Sequence, residues 1–292
     1  MINVGVSSNV ATLTDVVVKS PMAAWLTRER VEREWTTLSY PSLPYLELAI
    51  RQHEALLGLL HDSGCRIHQL PEDDATGLDS VFVHDPVVTG PTGVILCRMG
   101  KAARAEEPEA LGRWLTGSGV PVVGRIEPPG RLEGGDVVWL TSSRVVVGEG
   151  YRSNAEGIAQ LQRLLGSDVR VIAVSLPHWT GPADCLHLMS LISPIAERVA
   201  LVYSRLLPVP FRTMLLEQGW QLVEVPDSEY DRMACNVLPV APSDCIMLEG
   251  CPETRARLEA AGTRVRTFPG SDLCLKGGGG PTCLTRPLHR TT

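Results

Sequence analysis

The segment KGGGGPTCLTRPLHR, residues 276–290, places four glycines, a proline and a threonine directly before Cys283. A thiol becomes a nucleophile once it ionises, and a cationic neighbour favours that ionisation. Glycine permits positive φ and a close approach of the backbone to a ligand. The segment therefore predicts a tight loop that holds a reactive cysteine against a substrate. The alternative is a loose tail whose thiol is incidental or buried.

Further polar residues could complete the chemistry of this thiol. They stand at or near the start of strand-like segments, and they are Asp85, Glu133 with Asp136, His187 and Asn236. Two carboxylate positions, an imidazole and a thiol are the groups needed to bind a cation, attack it and move protons. Each also has a structural alternative. Asp85 could begin a turn before a proline, Glu133 could be a solvated loop residue, and His187 lies in an apolar run.

The elements that would position these residues form a repeat. Each unit begins with a helix-like run. After it come a small-residue stop, a β-branched stretch, a polar turn and a second strand, and these four parts occupy residues 63–85, 118–140, 167–192, 219–242 and 262–284. Examples of the helical runs are 45–64, 153–167 and 252–262. Equivalent turns in a repeat occupy equivalent places, so the polar residues of different units are expected to converge.

The repeat also predicts how the sheet edges are covered. A further strand-like run follows each of the first four repeats, at 93–97, 144–148, 198–203 and 244–250, but none follows the fifth. Because an open edge is a liability, the spare segment LTDVVVKSP at 13–21 is expected to cover it and close a ring. The sequence thus predicts one α/β domain over residues 1–292, a five-bladed α/β propeller with a pseudo-fivefold repeat. An open α/β sheet is the alternative.

Composition narrows the class of function. The chain has 292 residues, 44% of them hydrophobic, and a net charge of −6, with no run of basic residues, so nucleic acid is not an expected partner. The N-terminal residues lack the pattern of a signal peptide and no apolar run is long enough to span a membrane, so we expect a cytoplasmic protein without a membrane partner. The eight cysteines include no C-x-x-C pair, and neither a disulfide framework nor a metal site is expected.

At these residues the chain resembles the guanidine-modifying pentein superfamily of arginine deiminases, amidinotransferases and dimethylarginine dimethylaminohydrolases. The resemblance runs from about residue 45 to the end. The segments that carry it are LDSVFVHDP (78–86), RLEGGDV (131–137), GEGYRSNAEG (148–157), CLHL (185–188) and GGGGPTCLTRPL (277–288). The family fold is the five-unit α/β propeller, in agreement with the repeat.

The resemblance implies a reaction and roles for residues. Cys283 would attack the guanidinium carbon, His187 would be the acid and base, and Asp85 and Glu133 would hold the guanidinium nitrogens. A covalent thiouronium would then be hydrolysed to a ureido compound such as citrulline, with no cofactor and no metal. The expected partner is a small guanidino compound. A homodimer is compatible with the sequence, which does not fix the oligomeric state.

Residues that contact the rest of the substrate follow less directly from the resemblance. Asp79, Arg104 and Arg152 match positions that serve the amino-acid end of the substrate in dimethylargininases, and arginine suits a carboxylate because its planar fork can bind both oxygens. The remaining predicted contacts are His84, Asp136, Asn236 and Met189.

Two departures from the family bear on the substrate. Deiminases and amidinotransferases carry an aspartate two positions after the histidine, where this chain has Met189. Dimethylargininases usually have Glu-Asp where this chain has His84-Asp85, and their substrate-covering loop is not recognisable in residues 20–35. The GGGGPTC ending is closer to the deiminases. The substrate therefore stays open between arginine and an N-substituted arginine such as dimethylarginine.

Three other functions compete with a guanidine hydrolase. An amidinotransferase would pass the amidino group to an amine instead of water, and Met189 counts modestly against it. A non-catalytic pentein that only binds a partner would have no reason to keep the thiol, imidazole and two carboxylates together. A papain-like protease is excluded, because its cysteine precedes its histidine by a long stretch of chain.

Overall fold

The computed structural model describes residues 2–182 and 186–291, so Cys185 of the CLHL segment lies outside the described residues. Fifteen strands are present in this part of the chain. They are β1 Thr12–Val18, β2 Arg66–Gln69, β3 Val87–Thr89, β4 Val94–Leu96, β5 Val122–Arg125, β6 Val137–Thr141, β7 Arg144–Glu149, β8 Arg170–Ser175, β9 Ile192–Ala196, β10 Val199–Val202, β11 Gln221–Glu224, β12 Leu238–Ala241, β13 Asp244–Leu248, β14 Arg264–Phe268 and β15 Arg286–Thr291.

The strands form five sheets of three strands each, in the orders β3-β4-β5, β6-β7-β8, β9-β10-β11, β12-β13-β14 and β15-β1-β2. In every sheet the central strand is antiparallel to the first strand and parallel to the last. The predicted fivefold repeat is thereby confirmed. The fold is the five-bladed α/β propeller, and not an open sheet.

Strand β1 closes the ring, as the sequence predicts. It pairs antiparallel with β15, from Thr12 opposite Thr291 to Val17 opposite Arg286, and parallel with β2 on its other side. The N-terminal strand therefore supplies the middle of the fifth sheet, and the last strand of the chain is covered by the first.

All but one of the described helices connect parallel strands of one sheet, because two parallel neighbours need a crossover segment between them, and the exception is helix 227–230, which lies between β11 and β12. The helices are α1 Pro21–Trp25, α2 Arg28–Glu34, α3 Leu46–Asp62, α4 Glu107–Gly117, α5 Ala155–Leu165, α6 Val209–Glu217, α7 Asp227–Tyr230 and α8 Pro252–Ala260. The caps follow the sequence signals. Asn154 accepts a bond from Gly157 N at the start of α5, and α8 begins at Pro252 and is followed by Gly262 at φ 84°.

Apolar residues of the sheets and helices pack between neighbouring units, for example Val16, Leu56 and Phe268 in one cluster and Val145 with Leu161 in another. None of the described helices has the length and apolar composition required to cross a bilayer. The polar residues that the sequence singles out precede the first strand of each sheet: Asp85 before β3, Glu133 and Asp136 before β6, His187 before β9, Asn236 before β12 and Cys283 before β15.

Candidate active site

A cleft of about 320 Å³ receives residues from all five units. Seven of the eleven residues predicted from the sequence line it, namely Asp79, Asp85, Arg104, Arg152, His187, Asn236 and Cys283. The other four, Glu133, Asp136, His84 and Met189, are buried outside its lining. The convergence of distant turns that the repeat predicts is therefore present for the thiol, the imidazole and one carboxylate.

The glycine run brings the backbone close to the side chains of the cleft. Gly278 has φ 75°, which L residues rarely adopt. At Gly280 a Cβ atom would lie 2.6 Å from the amide carbon of Asn236, so a side chain there would displace that amide. After the glycines, Leu284 N donates to Gly280 O at 3.1 Å and Thr282 N donates to Asn236 Oδ1 at 3.0 Å. The loop thus fixes Cys283 beside Asn236.

The Cys283 thiol is partly exposed and receives a hydrogen bond from Asn236 Nδ2 at 3.0 Å. Burial, followed by the negative charge of Asp85, raises the pKa of the Cys283 thiol to about 11, against the opposing effects of His187 and of the Asn236 bond. The thiol is therefore protonated at neutral pH in the unliganded protein. A cation bound in the cleft would lower its pKa, because an opposite charge favours the thiolate.

His187 lies between two carboxylates. Its Nε2 is 2.7 Å from Glu133 Oε2, and its Nδ1 is 3.8 Å from Asp85 Oδ1. Burial opposes the ionisation of both acids, but the bond and charge of His187 and the charge of Arg152 lower the pKa of Glu133. The charges of His187 and Arg104 hold the pKa of Asp85 well below its usual range. Both carboxylates are therefore anionic at neutral pH and can stabilise a protonated imidazole.

Glu133 is fully buried beneath the cleft and does not line it. Its Oε1 accepts from Gly100 N at 2.8 Å and Lys101 N at 3.3 Å, and its Oε2 faces His187 and, at 3.4 Å, Arg152 Nη1. The sequence predicts that Glu133 holds a guanidinium nitrogen. In this structure its oxygens are directed at the backbone of Gly100 and Lys101 and at the side chains of His187 and Arg152, and the contact with a guanidinium stays a prediction.

Asp136 is also buried outside the lining of the cleft, and it binds the backbone of the segment that carries His187. Its Oδ1 accepts from Leu188 N at 2.9 Å, and its Oδ2 accepts from Ser153 Oγ at 2.6 Å. Burial raises the pKa of Asp136 to about 6. Both carboxylate oxygens of Asp136 are thus bonded within the protein, and its contact with the substrate stays a prediction.

Arg104 is the residue whose surroundings differ most from the sequence prediction. Its Nη1 donates to Asp85 Oδ2 at 2.6 Å, its Nη2 donates to Phe82 O at 2.9 Å, and both Nε and Nη2 donate to the Glu107 carboxylate at 2.8 to 3.1 Å. All three guanidinium nitrogens are thus engaged within the protein. Arg104 forms a buried ion pair with Asp85, and its contact with a substrate carboxylate stays a prediction.

Two lysines that the sequence analysis does not single out line the cleft. Lys101 Nζ donates to Asp79 Oδ2 at 2.6 Å and to Leu38 O at 3.0 Å. Lys276 Nζ donates to Asp272 Oδ1 at 2.6 Å and to Leu43 O at 3.0 Å. The sequence does contain a signal for Lys276, because the chain has only three lysines and Lys276 directly precedes the glycine run.

His84 and Met189 lie on a different cavity, of about 30 Å³. His84 Nδ1 lies 2.8 Å from Thr285 O, and burial lowers its pKa to about 3, so its imidazole is neutral. Met189 belongs to an apolar cluster with Leu191 and Phe211. Met189 follows His187 within a 3₁₀ turn, Leu188–Ser190, which directs successive side chains to different sides of the chain.

Within the described residues, Asp85, Glu133 and His187 each bring one potential ligand atom within 4.8 Å of the others, a spacing that could hold a metal ion. The guanidinium groups of Arg104 and Arg152 already lie 2.6 and 3.4 Å from the two carboxylates. The negative charge of the cluster is therefore compensated within the protein. The arrangement fits a proton-transfer site better than a metal centre.

Known proteins resemble this chain over most of its length. The family profile of N,N dimethylarginine dimethylhydrolase, eukaryotic, matches residues 36–290. The N(G),N(G)-dimethylarginine dimethylaminohydrolase of Pseudomonas aeruginosa is 29% identical over 255 residues, which cover 85% of this chain and 92% of that protein. The arginine deiminase of Listeria welshimeri is 24% identical over 254 residues, which cover 72% of this chain and 61% of that protein.

Solved structures agree with the sequence comparisons. A cysteine-to-serine variant of the Pseudomonas aeruginosa dimethylargininase complexed with citrulline has a TM-score of 0.77 and 26% identity, and the match covers 94% of this chain and 98% of that chain. An amidinotransferase from the saxitoxin pathway of Microseira wollei has a TM-score of 0.80 at 16% identity, with 99% and 98% of the chains covered, which shows a common fold.

The propeller fold, the residues that line the cleft and the family profile over residues 36–290 all indicate the same family. The protein belongs to the N,N dimethylarginine dimethylhydrolase family of the pentein superfamily, and it is a hydrolase of amidine C–N bonds.

Proposed function

We propose that the protein hydrolyses arginine or an N-substituted arginine at its guanidino carbon, through a covalent adduct with Cys283, to give a ureido compound and an amine. The observation that carries this proposal is the shared cleft of Cys283, His187 and Asp85, which meet from three separate units of the ring. The citrulline complex of the Pseudomonas aeruginosa relative supports a ureido product.

Substrate binding would start the reaction by making the thiolate accessible. With a thiol pKa of about 11, little thiolate exists at neutral pH until a guanidinium cation lies beside the sulfur. His187 then accepts the thiol proton, and the sulfur lone pair forms a bond to the guanidinium carbon. His187, as imidazolium, returns that proton to the departing nitrogen as the C–N bond breaks. The result is a free amine and a cationic thiouronium on Cys283.

Hydrolysis would complete the cycle with the same groups. Neutral His187 accepts a proton from water while the water oxygen bonds to the thiouronium carbon. The C–S bond then breaks, the imidazolium returns its proton to the departing sulfur, and the hydroxyl proton passes to solvent. The neutral ureido product leaves, and the thiol of Cys283 and the neutral imidazole are regenerated. Asp85, held anionic by Arg104, stabilises the cationic carbon centre in both halves, while Glu133 keeps the imidazole in place. Two steps replace one difficult substitution.

The amino-acid end of the substrate would be held at the rim of the cleft. Arg152 and Lys101 supply cations for a carboxylate, and Asp79 supplies an anion for an α-ammonium group. All three already interact with other protein groups, so substrate binding would rearrange these contacts. Arg104 is left out of this set because its three nitrogens are bound to Asp85, Glu107 and Phe82 O.

A substrate panel tests this proposal. The purified protein is incubated with arginine, methylated arginines, hydroxyarginine, agmatine and guanidino acids, and ureido product, ammonia and alkylamines are measured. We expect a ureido product from at least one α-amino acid and a much slower reaction with agmatine, which lacks the carboxylate. Amidino transfer to an added amine, with no ureido product, would favour the amidinotransferase instead. Equal rates with agmatine and arginine would contradict the binding of the carboxylate at the rim.

Replacement of Glu133 by glutamine is expected to lower kcat by about 100-fold or more, because the imidazolium of His187 loses its buried counter-ion. A smaller rise in KM should accompany it, since Arg152 loses the same partner. Steady-state kinetics on the substrate found in the panel measure both. Glu127→Gln, an exposed glutamate in the same connection, is the matched control and should leave kcat unchanged. An unchanged kcat/KM in Glu133→Gln would remove this residue from the mechanism.

A further inference from the structure

A third cavity, of about 270 Å³, shares no lining residue with the cleft. It lies between the end of β1, the chain after β2 and helix α4. Its apolar wall includes Leu70, Val83, Leu111 and Trp114, and Glu72 and Arg113 at its edge are exposed. By comparison with a cavity of about 150 Å³ that holds benzene, this volume suits a molecule of about ten non-hydrogen atoms.

Lys19 brings a buried positive charge into this cavity, whose lining also contains Glu72, Asp73, Glu107 and Arg113. The residue is 1% exposed, and its Nζ donates one hydrogen bond among the described residues, to Thr76 Oγ1 at 2.9 Å. An ammonium group has three donors, and burying it beside a single neutral acceptor is unfavourable. The negative charges of Glu107 and Asp73 act on Lys19 and partly offset its burial, but their hydrogen bonds to arginine go to Arg104 at 2.8 Å and Arg113 at 2.7 Å.

Ser80 provides a second, independent sign of a ligand. It lines the same cavity and is 4% exposed, and its hydroxyl has no hydrogen-bond partner among the described residues. Buried hydroxyl groups in native proteins are nearly always bonded to protein or to a bound molecule. A buried ammonium and a buried hydroxyl therefore line one cavity together with the apolar side chains of Leu111 and Trp114.

We propose that this cavity binds a small carboxylate that carries an apolar body. One carboxylate oxygen would accept a hydrogen bond from the charged Lys19 Nζ, and the other would accept one from the neutral Ser80 Oγ. The apolar body would pack against Leu111 and Trp114. The site is separate from the guanidine chemistry, and it adjoins that chemistry through Glu107, which stands on its wall and binds Arg104, the partner of Asp85.

The three lysines of the chain make a direct test available, because each reports on a different place. In protein labelled with ¹³C-lysine, Lys19 reports on the proposed site, while Lys101 and Lys276 report on the cleft. The probe is 3-phenylpropionate, and 3-phenylpropionamide is its neutral match. We expect the carboxylate to shift the Lys19 signal in a saturable manner, with at least about tenfold tighter binding than the amide. Assignment follows from Lys101→Arg and Lys276→Arg, so it does not require a folded Lys19 variant.

Two further variants distinguish binding in this cavity from binding elsewhere on the protein. Ala110→Leu adds side-chain volume to the cavity wall from helix α4 and leaves Lys19 and Ser80 in the sequence, and it should abolish the shift while the protein stays folded by circular dichroism. Ser80→Ala should weaken binding several-fold. The proposal is overturned if the Lys19 signal does not respond, if the amide binds as tightly as the carboxylate, or if Ala110→Leu binds like the unaltered protein. A response confined to Lys101 and Lys276 would place the probe in the cleft and equally overturn it.

Discussion

Replacement of Cys283 by alanine is expected to lower kcat by at least about 10⁴-fold while the protein remains folded, because the sulfur is the atom that would bond to the guanidinium carbon. Without the sulfur, water would have to attack the guanidinium carbon directly, and no covalent intermediate would form. The folded state loses little, since the side chain is partly exposed and its described hydrogen bond is the one from Asn236. Ureido-product assays, circular dichroism and thermal melting measure the two effects.

The matched control for this variant is Cys235→Ala. Cys235 also lines the cleft, but it is 2% exposed, and burial raises the pKa of its thiol well above the ordinary value. Its substitution should leave kcat within a few-fold. Acid-quenched mass spectrometry adds a direct reading, because the unaltered protein should carry a substrate-derived mass during turnover and Cys283→Ala should not. Retained ureido-product formation by Cys283→Ala would refute the covalent route.

Replacement of His187 by alanine is expected to lower kcat by about 10³-fold or more, because one imidazole would move the proton in both halves of the reaction. Its position between Glu133 and Asp85 allows it to hold that proton as an imidazolium. Added imidazole should restore part of the rate, since the variant leaves space beside Glu133. The measurement is kcat with and without imidazole at fixed pH.

His68→Ala is the control for this second variant. His68 Nε2 also lies 2.9 Å from a buried carboxylate, that of Asp15, but the pair is outside the cleft. We therefore expect His68→Ala to leave kcat unchanged, which would show that losing a pair of histidine and carboxylate outside the cleft does not impair catalysis. Activity of His187→Ala within tenfold of the unaltered protein would contradict its role as acid and base.

The fold was accessible from the sequence because its signals repeat. The spare strand at 13–21 and the missing partner after the fifth repeat predict ring closure, and β1 pairs with β15 as expected. The positions of Asp85, His187 and Cys283 follow from the same repeat, since each precedes the first strand of its sheet. The fivefold repeat assigns each of these residues to the same turn of its unit, and these equivalent turns meet at the centre of the ring.

The direction of individual side chains was less accessible. Arg104 precedes Glu107 by three residues, a spacing at which helical side chains meet, yet the sequence alone does not reveal that the pair is buried and also binds Asp85. Met189 and His187 are only two residues apart, but the turn between them separates their side chains. Lys101 reaches the cleft from a loop without regular periodicity, so no pattern indicates it.

Ring closure has a consequence for the order in which the protein becomes active. The contact between Arg290 and Ala11 spans a sequence separation of 279 residues, and contacts of such long range form late because the chain entropy of a large loop must be overcome first. Cys283 lies three residues before β15 and shares the cleft with His187, so we expect its sulfur to take its place beside the imidazole when the first and last strands pair. A partly assembled chain would therefore be catalytically silent, and the onset of turnover during refolding should coincide with the final docking event.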